Sequence, residues 1–562
     1  MTAPRKSFLS QQMTMAVTSC KDGWAVLRHK GPSKVTFWFI ALVIGIAAGF
    51  AALFFRKGIN ALQAFLYGTD DVQFLHTFIS GLEWYYIVLI PTCGGLVSGL
   101  ILHHFTKDAR ARSVADVIVG SALHDGRVET RAGLASALAS LVTLSTGGSS
   151  GREGPVVHLA AVITTWVNRR INADGITGRD LLGCAVAAAV SASFNAPIAG
   201  ALFALEVVLR HFAVHAFAPI VIASVAGTVI NRLEFGGVTE FKLPTTGELQ
   251  FYVELPAFLL LGLTCGFIAV TLMRAIFWAE DIGNAIQSRT RLPRWLRPMV
   301  AGAALGVLAL WFPHIIGVGY ETTSLALTGE LMLHEAVVFA ILKVIAVAIT
   351  LGGRMGGGVF SPSLMLGALS GLAFGLIATG IFPDVSGSTS LYALAGMGAV
   401  AAAVLGAPIS TTLIVFELTG DWQTGLAVMV AVSMSTAIAS RAVDHSFFLT
   451  QIERRGIHLA AGPQAYLLSM FTAAKTMRSP DHPRAADEER CWDMIGAGVY
   501  VDGAATLEAA MPIFEQSGAN FVPVVTLSSD ASPPELLGAL FHVDALRAYN
   551  RALAATAAEE HS

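Results

Sequence analysis

GGSSGREGP, Gly147 to Pro155, places two ionisable residues, Arg152 and Glu153, directly behind residues 132–151. That preceding run is 20 residues long and contains no Asp, Glu, Lys or Arg, and another apolar segment follows. A carboxylate there sits at membrane depth. A charged group at the centre of a bilayer costs about 3 kcal/mol on insertion scales, so its presence marks a site or a pathway. The glycines indicate which kind. A Gly-rich break that opens a helix leaves backbone N–H groups unbonded and aimed at whatever precedes the helix, an arrangement suited to an anion.

The rest of the chain agrees with a membrane setting. Of its 562 residues 54% are hydrophobic and only 13% charged, with a mean hydropathy of +0.63. Charge-free runs recur at 35–55, 84–102, 132–151, 181–205, 255–273, 355–383, 385–416 and 422–440. About 20 residues cross a hydrocarbon core of ~30 Å. Backbone in lipid is satisfied only in helices or closed barrels, and runs this long point to helices. The net charge of −3 and the lack of a basic stripe argue against a nucleic-acid partner. Five widely spaced cysteines suggest no disulfide framework. His103 and His104 are adjacent and so face different ways on a helix, and neither a metal nor a cofactor is expected. Arg5, Lys6, Lys21, Arg28, Lys30 and Lys34 precede the first span, which places the N-terminal end in the cytoplasm, with no signal peptide.

In chain order, residues 1–33 read as a cytoplasmic lead-in with an interfacial helix over 11–30. A span at 36–55 continues as a long helix toward Leu66, and 68–83 form an outside loop. Beyond Gly147 the apolar segments are broken, at Asn195-Ala196-Pro197, at Gly356-Gly357-Gly358 with Pro362, and at Gly406-Ala407-Pro408. Broken helices at membrane depth are tolerated where backbone is buried in protein or lines a cavity. The breaks also repeat. APIAGALFALE (196–206) recurs as APISTTLIVFE (407–417), 211 residues on, and GREGP (151–155) as GVFSP (358–362), 207 residues on. Such halves are often inverted, with a midplane site lined by half-helix N-termini. A partial positive charge of roughly +0.5 at each helix start favours an anion.

GREGPVVHLAA, FNAPIAGALFALE, GGGVFSPSLMLGA and GAPISTTLIVFELTGDW, in this order, resemble the CLC family of chloride channels and chloride/proton exchangers, bacterial type. The resemblance implies an all-α polytopic membrane protein, an inverted-repeat bundle of tilted and re-entrant helices. The membrane domain would be 34–456, with halves at about 34–232 and 255–456, in a homodimer with one anion pathway per subunit. By the same resemblance Glu153 is the gating glutamate, whose carboxylate competes with halide for one N–H nest. Backbone amides near Arg152, Gly154, Val359 and Phe360 would coordinate the anion, and Gly151, Pro155, Gly358 and Pro362 would shape the turns. Partial dipoles hold an ion weakly enough for release. Read alone, Glu153 is also compatible with an ion pair to Arg152. Glu206 and Glu417 each close an apolar helix and read as structural.

Three positions depart from the family pattern. Val207 stands where exchangers carry a second, proton-delivering glutamate. Phe448 keeps the ring of the tyrosine that offers its hydroxyl to the central anion, but loses the donor. The loop carrying the coordinating serine aligns with residues 111–115, which puts Arg112 at the serine position and Ser113 one step on. The residues alone leave open which of the two faces the pore.

Residues 457–562 are polar enough for a cytoplasmic tail. Residues 479–490 read as a linker, 506–518 and 543–553 as helices, and 521–525 and 536–541 as strands. The pattern at about 495–553 resembles one CBS repeat, with a small α/β fold. Phe541 replaces the Ser or Thr three residues before Asp544 that its nucleotide-binding form carries, so nucleotide binding is not expected. The function expected is transport of chloride and similar small anions through a multi-pass protein of the bacterial inner membrane, both termini cytoplasmic. Glu153 would gate the path, with weak or no proton coupling. An H+/Cl− exchanger is the alternative. From a different class, GSSG (148–151) with His211 or His215 suggests an intramembrane serine protease, although that reading gives the repeated API blocks no role.

Overall fold

The computed structural model describes residues 34–68, 74–212, 214–236, 241, 251–383, 386–457, 459, 467–468, 471–526 and 535–560. The expected lead-in over 1–33 lies outside them, as does the His215 side chain. Among the described residues seven helices are long and apolar enough to cross a membrane. The first runs Lys34–Tyr67, longer than the run at 36–55 alone requires, and the second, Trp84–Phe105, ends at the His103-His104 fringe. The segment expected as an outside loop contains a short helix, Leu75–Ile79. Large side chains such as Phe39 (64%), Leu260 (60%) and Ile341 (57%) stay exposed on the outer faces of these helices. In water such a surface would aggregate; in a bilayer it is the lipid contact.

Short helices fill the interior. The apolar run at 181–205 divides at Asn195, which closes Gly175–Phe194 in the left-handed conformation, and Pro197 opens the next helix, Pro197–Phe203. The run at 385–416 divides the same way: Gly406 closes Thr389–Leu405 and Pro408 opens Pro408–Thr419. Proline suits a first helical turn, since its missing N–H would have had no intrahelical partner.

The repeated blocks meet in space. Gly151 N–H donates to Gly358 O and Gly358 N–H to Gly151 O, both at 2.7 Å, an isolated antiparallel bridge between the two GxxxP turns. Glu417 accepts from Ile198 N and Ala199 N at 3.0 and 2.8 Å. Glu206 returns the arrangement, accepting from Ile409 N and Ser410 N at 2.9 and 2.8 Å and from Ser410 Oγ. Each APIxxxLxxxE block therefore supplies the carboxylate that satisfies the helix start of the other block, where the first N–H groups lack intrahelical acceptors.

The tail has its own apolar cluster, including Leu507, Phe514, Val522 and Leu540. Its sheet orders Val501–Asp502 parallel to Phe521–Thr526, which pairs antiparallel with Glu535–Phe541. Helices Leu507–Ser517 and His542–Glu560 complete a CBS-like unit. The expected linker is partly helical, because Glu488–Gly496 begins inside it. Docking onto the membrane domain goes through the start of helix Gly175–Phe194. Gly175 N–H donates to Ala504 O, and Arg179 pairs with Glu508 at 2.8 Å, both side chains buried.

Candidate functional site

Helices Glu153–Ile171 and Phe360–Ile381 start on either side of the Gly151–Gly358 bridge, so two sets of unbonded amides converge on one point. The Glu153 carboxylate occupies that point. Ser361 Oγ donates to Oε1, and the backbone amides of Glu153 and Ser361 add to the nest. Oε2 is buried and lies 2.6 Å from where a Cβ on Gly151 would be, so a side chain there would push the carboxylate out of this position. The neighbouring Arg152 guanidinium donates to Ser193 O at 3.2 Å and lies over the Tyr320 ring.

One cavity reaches this carboxylate and a second reaches its neighbour Arg152. One, of about 340 Å3, is lined by Glu153, Gly154, Val359, Phe360, Phe448 and, toward its mouth, arginines that include Arg454 and Arg455 just ahead of the tail. The other, of about 440 Å3, is lined by Arg152 together with Gln63, His76, His314, Tyr320 and Glu321. Arg152 thus lies on the far side of Glu153 from Gly154, Val359 and Phe360, and the four do not share one cavity. Pro155 and Pro362 sit in the first turns of their helices, fully packed.

Ser113 and Arg112 are placed differently. Ser113 lines the tail-side cavity, and its hydroxyl donates to Gln451 Oε1 at 3.2 Å. Arg112 is not among the lining residues; its guanidinium reaches Asp108 at 2.9 Å and Glu129 at 3.1 Å. Those carboxylates offset the cost of burying a cation, which an apolar wall would not. Outside the membrane segments, they raise the Arg112 pKa against the lowering effect of its burial. Phe448 lines the cavity with Phe447 and carries no hydrogen-bond donor there. Val207 is buried in a single π-helical turn, Ala204–Leu209, that continues Pro197–Phe203. Such turns are rare and often accompany functional positions.

Several site residues escaped sequence reasoning. Ser361 is one position from Phe360 and reads as ordinary helix. Gln451 is one turn beyond Phe448 on the same helix face, a spacing that could have flagged it. Arg354 stands among glycines at the cavity mouth. Lys343 is fully buried, donating to Ile315 O and Gly317 O at 3.3 and 3.1 Å behind the far cavity. At the rim of that cavity His76 pairs with Glu321 at 2.8 Å, and the His314 ring lies 4.2 Å from that of His76. Burial, and then His76, push the His314 pKa down to about 4. Ser149 and Ser150 of the GSSG stretch are fully buried, with Ser150 Oγ donating to Gly356 O, so neither is open to a substrate.

A bundle of long apolar helices with broken shorter helices inside it and a backbone nest opening on a cavity is the architecture of a multi-pass membrane protein. Residues 94–440 match the voltage gated chloride channel family model. The chain is 33% identical over 396 residues, 70% of its length, to a putative chloride channel protein ClcB-like of Ralstonia nicotianae, covering 91% of that relative. It is 30% identical over 404 residues, 71% of its length, to the voltage-gated ClC-type chloride channel ClcB of Escherichia coli, covering 94%. Its fold matches the crystal structure of a slow cyanobacterial Cl−/H+ antiporter with a TM-score of 0.67 at 20% identity, over 75% of this chain and 98% of that one. The chain belongs to the CLC family of chloride channels and transporters, and it transports anions across a membrane.

Proposed function

We propose that this chain passes chloride as a channel gated by Glu153, with weak or no coupling to protons. The observation that carries this reading is the Glu153 carboxylate seated in the amide nest at the inner end of the tail-side cavity, where it takes the place a halide would take, with Arg152 next to it lining the second cavity. Displacing or protonating it vacates the nest. Backbone amides at Gly154, Val359 and Phe360, with Ser113 below them, would then hold the ion by partial charges. Val207 supports the uncoupled form, because a branched apolar side chain relays no proton. Exposed Ile198 and Ile409 on the two mutually capped helices suit a homodimer contact, and the basic residues before the first span suit cytoplasmic termini in a bacterial inner membrane. In the tail, Phe541 lies under the Arg478 guanidinium and Asp544 pairs with Arg478, which supports a docking unit that takes no nucleotide.

Chloride and proton movements recorded together from liposomes under a chloride gradient test the reading. The expected result is chloride efflux without uphill proton movement. Glu153→Gln is expected to speed the flux and flatten its dependence on pH. Uphill proton pumping would establish the exchanger instead, the activity named for the cyanobacterial structure. An unchanged pH profile in Glu153→Gln would remove the gate.

A further inference from the structure

The nest around the Glu153 carboxylate includes a side-chain hydroxyl. Ser361 Oγ donates to Glu153 Oε1, and both residues are buried. Backbone amides of Glu153 and Ser361 supply further donors. Amides are scarce at this point, because proline is the third residue of both helices. Pro155 and Pro362 have no N–H, and the next amides, Val156 N and Ser363 N, already donate back to Arg152 O and Val359 O at 3.2 and 3.1 Å. The second carboxylate oxygen, Oε2, has no hydrogen-bond partner among the described residues. The hydroxyl is therefore a large part of what keeps the carboxylate seated.

The internal repeat and the local chemistry point the same way. GREGP (151–155) matches GVFSP (358–362), so Ser361 stands where the first copy has Gly154, and Glu153 where the second has Phe360. The copies meet at the Gly151–Gly358 bridge, so one supplies the carboxylate and the other the hydroxyl that receives it. A serine near a helix start ordinarily bonds nearby backbone. Ser363 does so, with Oγ on Val359 O at 2.8 Å, whereas Ser361 directs its hydroxyl to a side chain 208 residues away in sequence.

We infer that Ser361 is a positioning residue for transport: its hydroxyl latches the ionised Glu153 carboxylate in the nest, and thereby sets the pH and the chloride concentration at which the path opens. This rests on Glu153 being the gate. A donor bonded to a carboxylate favours the ionised form over the neutral acid, and a bond with one charged partner is stronger than a neutral one. Without it the carboxylate leaves the nest more readily, both by taking up a proton and by giving way to an incoming anion. The charged groups around the site are held by other contacts. Arg152 precedes Glu153 and donates to Ser193 O, and helix Phe360–Ile381 carries no charged residue. In the cavity Arg110 pairs with Glu280, Arg454 with Asp281 and Arg455 with Asp116, while Arg354 bonds Asn284. His158, further along the Glu153 helix, lies against Gly133. A shift on changing Ser361 thus reports the hydroxyl itself.

Chloride efflux from liposomes holding the full chain, recorded against pH and against chloride concentration, tests this in the wild type, in Ser361→Ala, Ser361→Thr and Glu153→Gln, and in the alanine and glutamine changes combined. Alanine suits a helical turn, so Ser361→Ala is expected to fold, and size exclusion checks it. Ser361→Gly, the residue the first copy carries at this place, gives the same reading should alanine not fold. Acid activation of Ser361→Ala should move to higher pH by about one unit, and its half-maximal chloride should fall roughly tenfold, the lower end of what one hydrogen bond to a charged group contributes. Ser361→Thr keeps the hydroxyl and should restore the wild-type profile. On the Glu153→Gln background the alanine change should shift nothing further, since the ionised partner is gone. A wild-type pH midpoint in Ser361→Ala, beside a flattened profile in Glu153→Gln, overturns the latch and leaves the gate standing. A chloride shift that persists without Glu153 assigns the hydroxyl to the anion and overturns the latch as well. An unchanged pH profile in Glu153→Gln removes the gate and the latch together.

Discussion

Lys343 and Glu153 show how one bundle places two opposite charges at depth. Glu153 sits in a nest of donors. Lys343 has only carbonyls for company and holds the loop 315–319 that walls the far cavity. Lys343→Met should therefore cost stability, since two buried carbonyls lose their donor, at about 1–3 kcal/mol. A thermal melt in detergent reads this directly, and an unchanged midpoint would show that water replaces the ammonium. Of these residues only Glu153 was legible in the sequence, because a motif surrounds it. Lys343 and Arg354 each stand singly in apolar or glycine-rich runs, where a lone polar residue has no spacing to betray it. The pair Arg112 and Ser113 was undecidable for a different reason: the carboxylates that draw Arg112 outward are distributed over Asp108 and Glu129, and only the folded chain brings them together.

Among the elements, helix Phe360–Ile381 carries Gly367, Gly371 and Gly375 at four-residue intervals and packs along Thr389–Leu405. A Cβ on Gly371 would fall 2.2 Å from Tyr392 O, a backbone atom that cannot move aside. Small residues at this spacing let helix backbones approach where no hydrophobic force drives them together. Gly371→Leu is expected to abolish recovery of monodisperse protein on size exclusion, whereas the same change at Gly380, with nothing within 4 Å, should be tolerated. The spans and their breaks were readable in outline, since charge-free length, Pro and Gly mark them. The π turn at Ala204–Leu209 was not, for its residues are as apolar as any helix and the extra residue per turn is set by packing against neighbours.

For the whole molecule, the tail is joined to the transport domain through charge. Arg179 is shared between Glu508 of the tail and the carbonyl of Leu209, at 2.8 and 2.6 Å. Its helix, Gly175–Phe194, ends with Phe194 against Phe360 at a ring separation of 4.6 Å. Nearby, Asp125 lies close to Asp174 and to Asp502 of the tail. Burial, with Asp502 and Asp174 adding and Arg127 opposing, raises its pKa from 3.8 to about 6. Because the docked state favours the neutral acid, its contribution to docking is complete below pH 4 and is lost as pH rises through 6. Once the base-catalysed rise of intrinsic exchange is divided out, the protection of amides in Leu507–Ser517 should accordingly fall between pH 5 and 7. In Asp125→Asn that change should be absent; an identical pH response in the variant would assign it elsewhere. The CBS-like pattern of the tail was legible, but its seat on Gly175 and Arg179 was not, since ion pairs 329 residues apart leave no trace in local sequence.

The mutual capping by Glu206 and Glu417 also bears on biosynthesis. When the helix opening at Pro197 leaves the ribosome, the carboxylate that will satisfy Ala199 N lies 218 residues downstream and has not been translated. The nascent N-terminal half must wait in the bilayer with open amides until the second half inserts beside it, and neither half can mature alone. A nonsense codon falling after Ala199 and before Glu417 therefore leaves an unfinished helix start in the part already made, a defect present whether or not the tail would have followed.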